Sequence, residues 1–253
     1  MVGAMTRNVL VTGGGSGIGA AAAVRLAADG WRVAVLDARA GAADEVVARL
    51  PAGSGLAMTA DVTDEAAVAA SVDSVVGALG GLDAVAAAGI ARSSDTHETT
   101  LEEWELVLRI NLTGTFLTVK HALPHLIADG GGAIVTVGSV ASLVASGPSP
   151  SYDASKGGVL QLTRAVAAEY ADRGVRANCV CPGKVRTGLV ANTEALSGAS
   201  KRVAAAPSAW VRPPDDRLAD ASEIAGVIAF LLSADASFVT GAAIVADGGY
   251  TAI

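Results

Sequence analysis

Asn8-Val9-Leu10-Val11-Thr12-Gly13-Gly14-Gly15-Ser16-Gly17-Ile18-Gly19, running on into Ala20–Ala28, is the stretch whose reading decides the architecture. Asn8–Val11 is a short apolar run that stops at the glycines, and the Ala-rich segment behind them reads as a helix ended by Asp29-Gly30. A strand that runs into glycines and then into a helix can set backbone N–H groups around a pyrophosphate. The helix N-terminus adds partial positive charge there. The spacing is Gly13-x-x-x-Gly17-x-Gly19 rather than the commoner G-x-G-x-x-G. A plain tight turn is the bland alternative, but the position between a first strand and an Ala helix favours nucleotide binding.

Working outward, Arg32–Leu36 reads as a second strand with Asp37 at its C-terminal end, 18 residues beyond Gly19. A carboxylate there can accept hydrogen bonds from both adenosine ribose hydroxyls and would repel a 2′-phosphate. Ala38 follows it and Arg39 comes next, so the pattern favours NAD(H) over NADP(H). Alone, Asp37 could merely cap a turn; beside the glycine cluster that reading weakens.

The strand–helix alternation then repeats. Helices are predicted over 42–50, 65–79, 100–128, 151–172 and 222–232, and strands over 56–60, 82–88, 133–137, 175–181 and 243–245. Leu101, Trp104, Val107, Leu108 and Asn111 fall near one face of the 100–128 helix, which Pro124 should end or bend. Strands apolar throughout indicate a parallel sheet covered on both faces, hence a doubly wound α/β Rossmann-type domain spanning 1–253 with a mostly parallel, seven-stranded sheet. Residues 187–220 break the rhythm with Gly188, Gly198, Pro207, Pro213 and Pro214; the segment is either a substrate lid or a disordered loop.

Composition narrows the function. Half of the 253 residues are hydrophobic, mostly Ala and Val, with only 4% aromatic, which suits helices packed closely on a sheet. A net charge of −7 without a basic stripe argues against nucleic acid as partner. No uncharged apolar run reaches the ~18–20 residues of a membrane span, and Met1–Asn8 is too short and polar for a signal peptide, so a cytoplasmic protein without membrane partners is expected. Cys179 and Cys181 stand two apart on a predicted strand and read as buried structural thiols rather than a bridge. With His97, His121 and His125 as the only histidines, no metal site is expected.

Tyr152 and Lys156 are four apart at the start of a helix and share one face. A free phenol is a poor base at neutral pH, and a fixed ammonium within ~4–6 Å can draw it down far enough to exchange a proton with an alcohol. Tyr-x-x-x-Lys is a weak pattern by itself, and its company decides. Thr12-Gly13-x-x-x-Gly17-x-Gly19, Asn111, Ser139, Tyr152-x-x-x-Lys156 and Pro182-Gly183 stand in an order and spacing that resemble the short-chain dehydrogenase/reductase family. The resemblance runs from Asn8 to Asp247-Gly248-Gly249-Tyr250.

That resemblance implies an oxidoreductase moving a hydride between NAD(H) and a secondary alcohol or ketone. It implies Tyr152 as catalytic acid/base and Lys156 as its electrostatic partner and ribose contact. Ser139 would bond the substrate oxygen, and Asn111 would anchor a water of the proton relay. It implies cofactor contacts from Gly13, Gly15, Ser16, Gly17, Ile18, Gly19 and Asp37, from Asp61-Val62 at the adenine and Ala88-Gly89, from Tyr152 and Lys156, and from Pro182, Gly183, Val185 and Thr187 near the carboxamide. Family members are commonly tetramers built on the long helices and last strand, so a homotetramer is expected. Two other readings compete: an NADPH-dependent 3-oxoacyl-type ketoreductase, against which Asp37 argues, and a non-catalytic dinucleotide-binding protein, which would be expected to lack Ser139, Tyr152 or Lys156.

The sequence departs from the family pattern at Ala86 and Ala87 (commonly two Asn), Gly138 (commonly Ser) and Lys184 (commonly apolar). Leu218–Glu223 lacks the usual Gly-x-Pro before its helix, leaving Ser222 as the expected cap. Ser142, Val144, Ser149 and the 187–220 loop are expected to shape the substrate pocket. Lys184, Arg186, Lys201, Arg202 and Arg212 are either a solvated surface balanced by Glu194, Asp215 and Asp216, or include one or two residues that steer an acidic substrate.

Overall fold

The strands are apolar on both faces because helices cover both sides of the sheet. In β1 (Asn8–Thr12), Val9 and Val11 pack toward one helical layer while Leu10 packs toward the other. The same split holds in β2 (Arg32–Asp37), where Val33 and Val35 join Val9 while Ala34 and Leu36 join Leu10. A computed structural model of the chain describes residues 7–86, 88–189, 193 and 217–252. The remaining strands are β3 (Gly55–Thr59), β4 (Asp83–Ala86), β5 (Gly132–Val137), β6 (Val175–Pro182), the short pair β7 (Val185–Arg186) and β8 (Ala219–Asp220), and β9 (Ala243–Ala246).

The main sheet has seven strands in the order β3-β2-β1-β4-β5-β6-β9, with parallel pairing throughout. Strand order reverses between β1 and β4, which opens a crevice beyond their C-terminal ends. One layer holds α1 (Gly17–Ala28), α2 (Ala42–Val47) and α7 (Ala221–Leu232); the other holds α3 (Glu65–Leu79), α5 (Gly114–Ala128) and α6 (Pro150–Tyr170). Ala22 and Ala23 of α1 are fully buried. Small side chains here let helix and sheet approach closely.

The predicted 100–128 helix is interrupted where the site needs it. α4 (Leu101–Leu108) passes through a π-helical turn, Arg109–Thr113, before α5 resumes, and Asn111 sits in the turn, fully buried. Such turns re-aim backbone groups and concentrate at functional sites. Pro124, expected to end or bend this helix, lies inside α5, which continues to Ala128. Buried Leu123 and Leu126 hold the last turn in place of the missing backbone bond. Leu101, expected on the packed face, is exposed.

The cap of α7 is Asp220 rather than Ser222. The Glu223 carboxylate accepts the Asp220 N–H at 2.8 Å and is held by Arg217 at 2.6 and 2.9 Å. Asp220 also ends β8, whose pairing with β7 brings the two ends of the 187–220 segment together. Residues 190–192 and 194–216 of that segment, with Lys201, Arg202, Arg212 and Glu194, lie outside the described residues, as does Ala87. Among the described residues no helix is long and apolar enough to cross a membrane.

Candidate active site

The crevice is walled by the segments that leave β1, β2, β3, β4, β5 and β6. At its β1 end the glycine turn is closed by direct contact: a Cβ at Gly19 would overlap the Gly13 carbonyl oxygen, so only glycine lets the helix start this near the turn. The N-cap residue Ser16 sends no side-chain hydrogen bond into the first turn of α1. That turn presents backbone N–H groups and the positive end of a helix to the crevice, a fit for a pyrophosphate.

Asp37 lines the adjoining wall. Its Oδ2 accepts the Gly15 N–H at 3.0 Å, and its Oδ1 accepts the Arg39 N–H at 3.0 Å and Nε at 3.2 Å. A carboxylate has about four lone-pair sites, so these three bonds fix its orientation and leave one acceptor site for a ribose hydroxyl. Gly15 itself does not line the crevice; it stands behind Asp37, where an added Cβ would lie 2.7 Å from Oδ2. Asp61, Val62, Ala88 and Gly89 continue the wall. Asp61 is turned by accepting the Thr63 N–H at 2.9 Å.

At the other end α6, the π-turn and the end of β5 converge. Pro150 opens α6 at a position that needs no N–H donor, and Tyr152 and Lys156 project from its first two turns. Lys156 is buried; its Nζ donates to the Val137 carbonyl at 2.8 Å and lies 5.8 Å from the centre of the Tyr152 ring. Burial draws the ammonium down from 10.5 to about 8. The Tyr152 phenol is pushed up by burial, and the facing Ser139 hydroxyl offsets this only in part. The expected lowering of the phenol by Lys156 is not found here: burial dominates, and Ser139 alone works against it.

Ser139, two residues beyond β5, caps the short helical turn Val140–Ser142 in a capping box: its Oγ accepts the Ala141 N–H at 3.1 Å, and its own N–H donates to Ser142 Oγ at 3.2 Å. The hydroxyl proton of Ser139 can then be given to an oxygen in the crevice. Ser142, expected in the pocket wall, acts behind it by donating to the Lys156 carbonyl at 2.8 Å. Asn111 is also behind the wall. It accepts the Ile90 N–H at 2.8 Å and donates to the Ile90 carbonyl at 2.9 Å and Ser155 Oγ at 3.0 Å, so it clamps the β4 exit against α6. A Cβ on Gly89 would stand 3.3 Å from Asn111 Oδ1 and 3.4 Å from Lys156 Nζ, which shows how closely the three meet.

Two departures from the family pattern acquire reasons. A Cβ at Gly138 would stand 2.7 Å from Cys179 Sγ and 2.8 Å from Ser142 Oγ, so the thiol takes the space of the commoner serine side chain. Cys179 and Cys181 are free, buried and 3.9 Å apart at sulfur, as expected of structural thiols. Their mutual hydrogen bond draws Cys179 down and pushes Cys181 up. Lys184 and Arg186 are exposed and absent from the crevice wall, whereas Pro182, Gly183, Val185 and Thr187 line it. Alternation along Lys184–Thr187 explains the split.

Leu36, Ala38, Arg39, Ala60, Ile90, Ile110, Val137 and Leu189 also line the crevice and were missed in the sequence. Most sit at or just past a strand C-terminus, and that position was the available signal. Among the described residues no group of three or more His, Cys, Asp or Glu could hold a metal ion.

Comparison with known proteins agrees with this geometry. The family profile described as enoyl-(acyl carrier protein) reductase matches residues 13–251. Cis-4-hydroxycyclohexanecarboxylate dehydrogenase of Sinomonas cyclohexanicum is 46% identical over 98% of this chain and 97% of its own. Cyclohexanol dehydrogenase of Acinetobacter sp. is 39% identical over 96% and 94%. The crystal structure of levodione reductase superposes with a TM-score of 0.88 at 38% identity, covering 98% of this chain and 99% of that one. The chain belongs to the short-chain dehydrogenase/reductase family. It is an oxidoreductase acting on CH–OH groups and the corresponding carbonyls with a nicotinamide dinucleotide.

Proposed function

We propose that this enzyme is NAD(H)-dependent, that it interconverts a cyclic secondary alcohol and its ketone, and that Tyr152 is the general acid/base. The observation that carries the reading is one crevice holding Asp37 at one end and Ser139, Tyr152 and Lys156 at the other, with Asn111 bracing the wall between α6 and the β4 exit. A bound NAD⁺ would supply the hydride acceptor. Asp37 would hold the adenosine ribose, the α1 N-terminus the pyrophosphate, and Thr187, which lies over Gly17, the carboxamide side.

In the oxidation direction the Ser139 hydroxyl donates to the substrate oxygen and orients it toward Tyr152. The Tyr152 phenolate oxygen takes the alcohol proton, and in reduction it returns it. Lys156, held by the Val137 carbonyl with its Nζ 5.8 Å from the centre of the Tyr152 ring, keeps a positive charge on that side of the crevice, and a positive charge there favours the phenolate. A relative 41% identical to this chain is named an inactive 2-(S)-hydroxypropyl-CoM dehydrogenase, so fold alone does not carry activity. Asn111, Ser139, Tyr152 and Lys156 are all present here, which favours catalysis over a binding-only role.

The cyclic substrate class is taken from the relatives that act on cyclohexanol and on a hydroxycyclohexanecarboxylate. The reading extends to a cytoplasmic homotetramer with the 187–220 segment as a substrate lid. Leu101 on α4, Phe116 on α5, Phe230 on α7 and Val245 on β9 are exposed apolar side chains on helices and the last strand, where such an assembly would form. Screening cyclic alcohols with NAD⁺ and NADP⁺ by absorbance at the nicotinamide band tests the activity. Turnover with NAD⁺ in preference is expected, and NADP⁺ preference would overturn the cofactor assignment.

A further inference from the structure

Asp153 follows Tyr152 in the first turn of α6 and has no part in the scheme above. It meets the loop that joins the two catalytic hydroxyls, the stretch 140–151 between Ser139 and Tyr152. Its carboxylate grips the middle of that loop with both oxygens. Oδ2 accepts the Ser146 N–H at 2.9 Å, and Oδ1 accepts the Ser146 hydroxyl. The loop turns back at Gly147, whose φ of +112° an L side chain rarely adopts, and the Asp153 N–H then donates to the Ser149 carbonyl at 3.0 Å. Nearer Ser139, the Ser142 hydroxyl donates to the Lys156 carbonyl at 2.8 Å. The loop is thus tied to α6 at Asp153 and at Lys156, close behind Tyr152. Residues 143–145 between the two ties are exposed, so little apolar burial holds this part of the loop.

Hydrogen bonds to an ionised acceptor are short and about twice as strong as neutral ones, and a grip by two oxygens on one residue fixes direction as well as distance. Ser139 and Tyr152 both line the crevice and must reach one substrate oxygen together. A misplacement of about 1 Å at such a site can cost about 10²-fold in rate. We infer that Asp153 is a positioning residue, which sets the separation of the Ser139 and Tyr152 hydroxyls by holding the loop between them against α6. This rests on the reading of Ser139 and Tyr152 as the catalytic pair. The same carboxylate adds to the effect of burial in raising the Tyr152 phenol. The other titratable groups here are Lys156 on α6, the Cys179–Cys181 pair beside Lys156, and Tyr250 of the C-terminal turn, which burial and then Asp153 push up.

The test compares Asp153→Ala, which removes both bonds, with Asp153→Asn, whose amide can accept the Ser146 N–H and donate to its hydroxyl oxygen without the charge. Amide hydrogen exchange over residues 143–149 is measured together with the pH profile of kcat for oxidation of a cyclic secondary alcohol by NAD⁺. Asp153→Ala should speed exchange about tenfold or more and lower the plateau kcat about 10- to 100-fold, with NADH affinity as in the parent. Asp153→Asn should bring both back to within about threefold of the parent. On the acid side of the profile, where oxidation waits on the phenolate, Asp153→Asn should also raise turnover about two- to fivefold, the effect of removing a unit charge about 4–8 Å away in water. A residue that only shapes the fold would not move that limb. If Asp153→Ala does not fold, judged by NADH binding, Ser146→Ala removes the hydroxyl half of the grip and should lower kcat about three- to tenfold. Exchange or kcat unmoved when the grip is removed, a loss that Asp153→Asn does not restore, or an acid limb that stays in place overturns the assignment. Retained turnover in Tyr152→Phe would instead sink the catalytic reading, and the exchange measurement would still report on the loop.

Discussion

Replacing Lys156 by Met should make the protein more stable while nearly abolishing activity. The buried ammonium is drawn from 10.5 to about 8, which at ~1.4 kcal/mol per pH unit is about 3 kcal/mol held against its charge at neutral pH. Met fills a similar volume without charge, but leaves the Val137 carbonyl without its 2.8 Å donor, at a cost of about 1–2 kcal/mol. The net gain is about 1–2 kcal/mol, or roughly 3–6 °C in Tm for a chain of this size. The pH dependence gives the sharper signature. Between about 8 and 10.5 the unfolded lysine holds a proton that the folded one has released, so the parent gains stability as pH rises through that window. The variant lacks this gain, so its advantage should be greatest below pH 8 and shrink toward pH 10.5. Urea denaturation of both proteins across pH 7 to 10 reads the difference. A variant less stable than the parent at pH 7, or an advantage independent of pH, would refute the view that this site holds a strained charge for function.

Two further predictions follow from single side chains. Asp37→Ala should weaken NADH binding by about 10- to 100-fold and narrow the preference over NADPH, read by fluorescence titration; an undiminished NADH preference would mean the carboxylate does not meet the ribose. Asp83, raised from 3.8 to about 6 by burial, favours the folded state most when protonated, so its contribution is present below pH 3.8 and lost as pH rises through about 6. Asp83→Asn keeps an oxygen for the Ala133 N–H and should be more stable than the parent at pH 7 by up to about 3 kcal/mol, with the advantage vanishing near pH 4. A constant difference across pH 4–7 would contradict this.

The fold was legible because its signals are local and repeated. Each strand's apolar run, and the glycine turn entering an Ala helix, announce a parallel sheet with a crevice at the switch point, and the seven-stranded order follows that plan. The departures arose where tertiary packing overrides local preference. The π-turn at Asn111 is set by that side chain's bonds to Ile90 and Ser155, partners 21 and 44 residues away, which helical periodicity cannot report. Pro124 remains helical because buried neighbours hold it. In the site, Asp37 and the Tyr152–Lys156 pair were readable from spacing, but the direction of the tyrosine's perturbation was not, since it depends on burial. Charge near the substrate was sought in Lys184 and Arg186, where basic residues cluster in sequence. The structure leaves both exposed, because the short β7 segment points Val185 and Thr187 inward instead.

The central claim is that Tyr152 carries the proton, and Tyr152→Phe tests it most directly. The ring and its packing stay while the transferable proton is removed. Measured on a cyclic secondary alcohol with NAD⁺, kcat should fall by about 10²- to 10⁴-fold while NADH affinity stays within a few-fold of the parent. Turnover within a few-fold of the parent, with the cofactor bound as before, would show that the proton travels by another route and that the site has been misread.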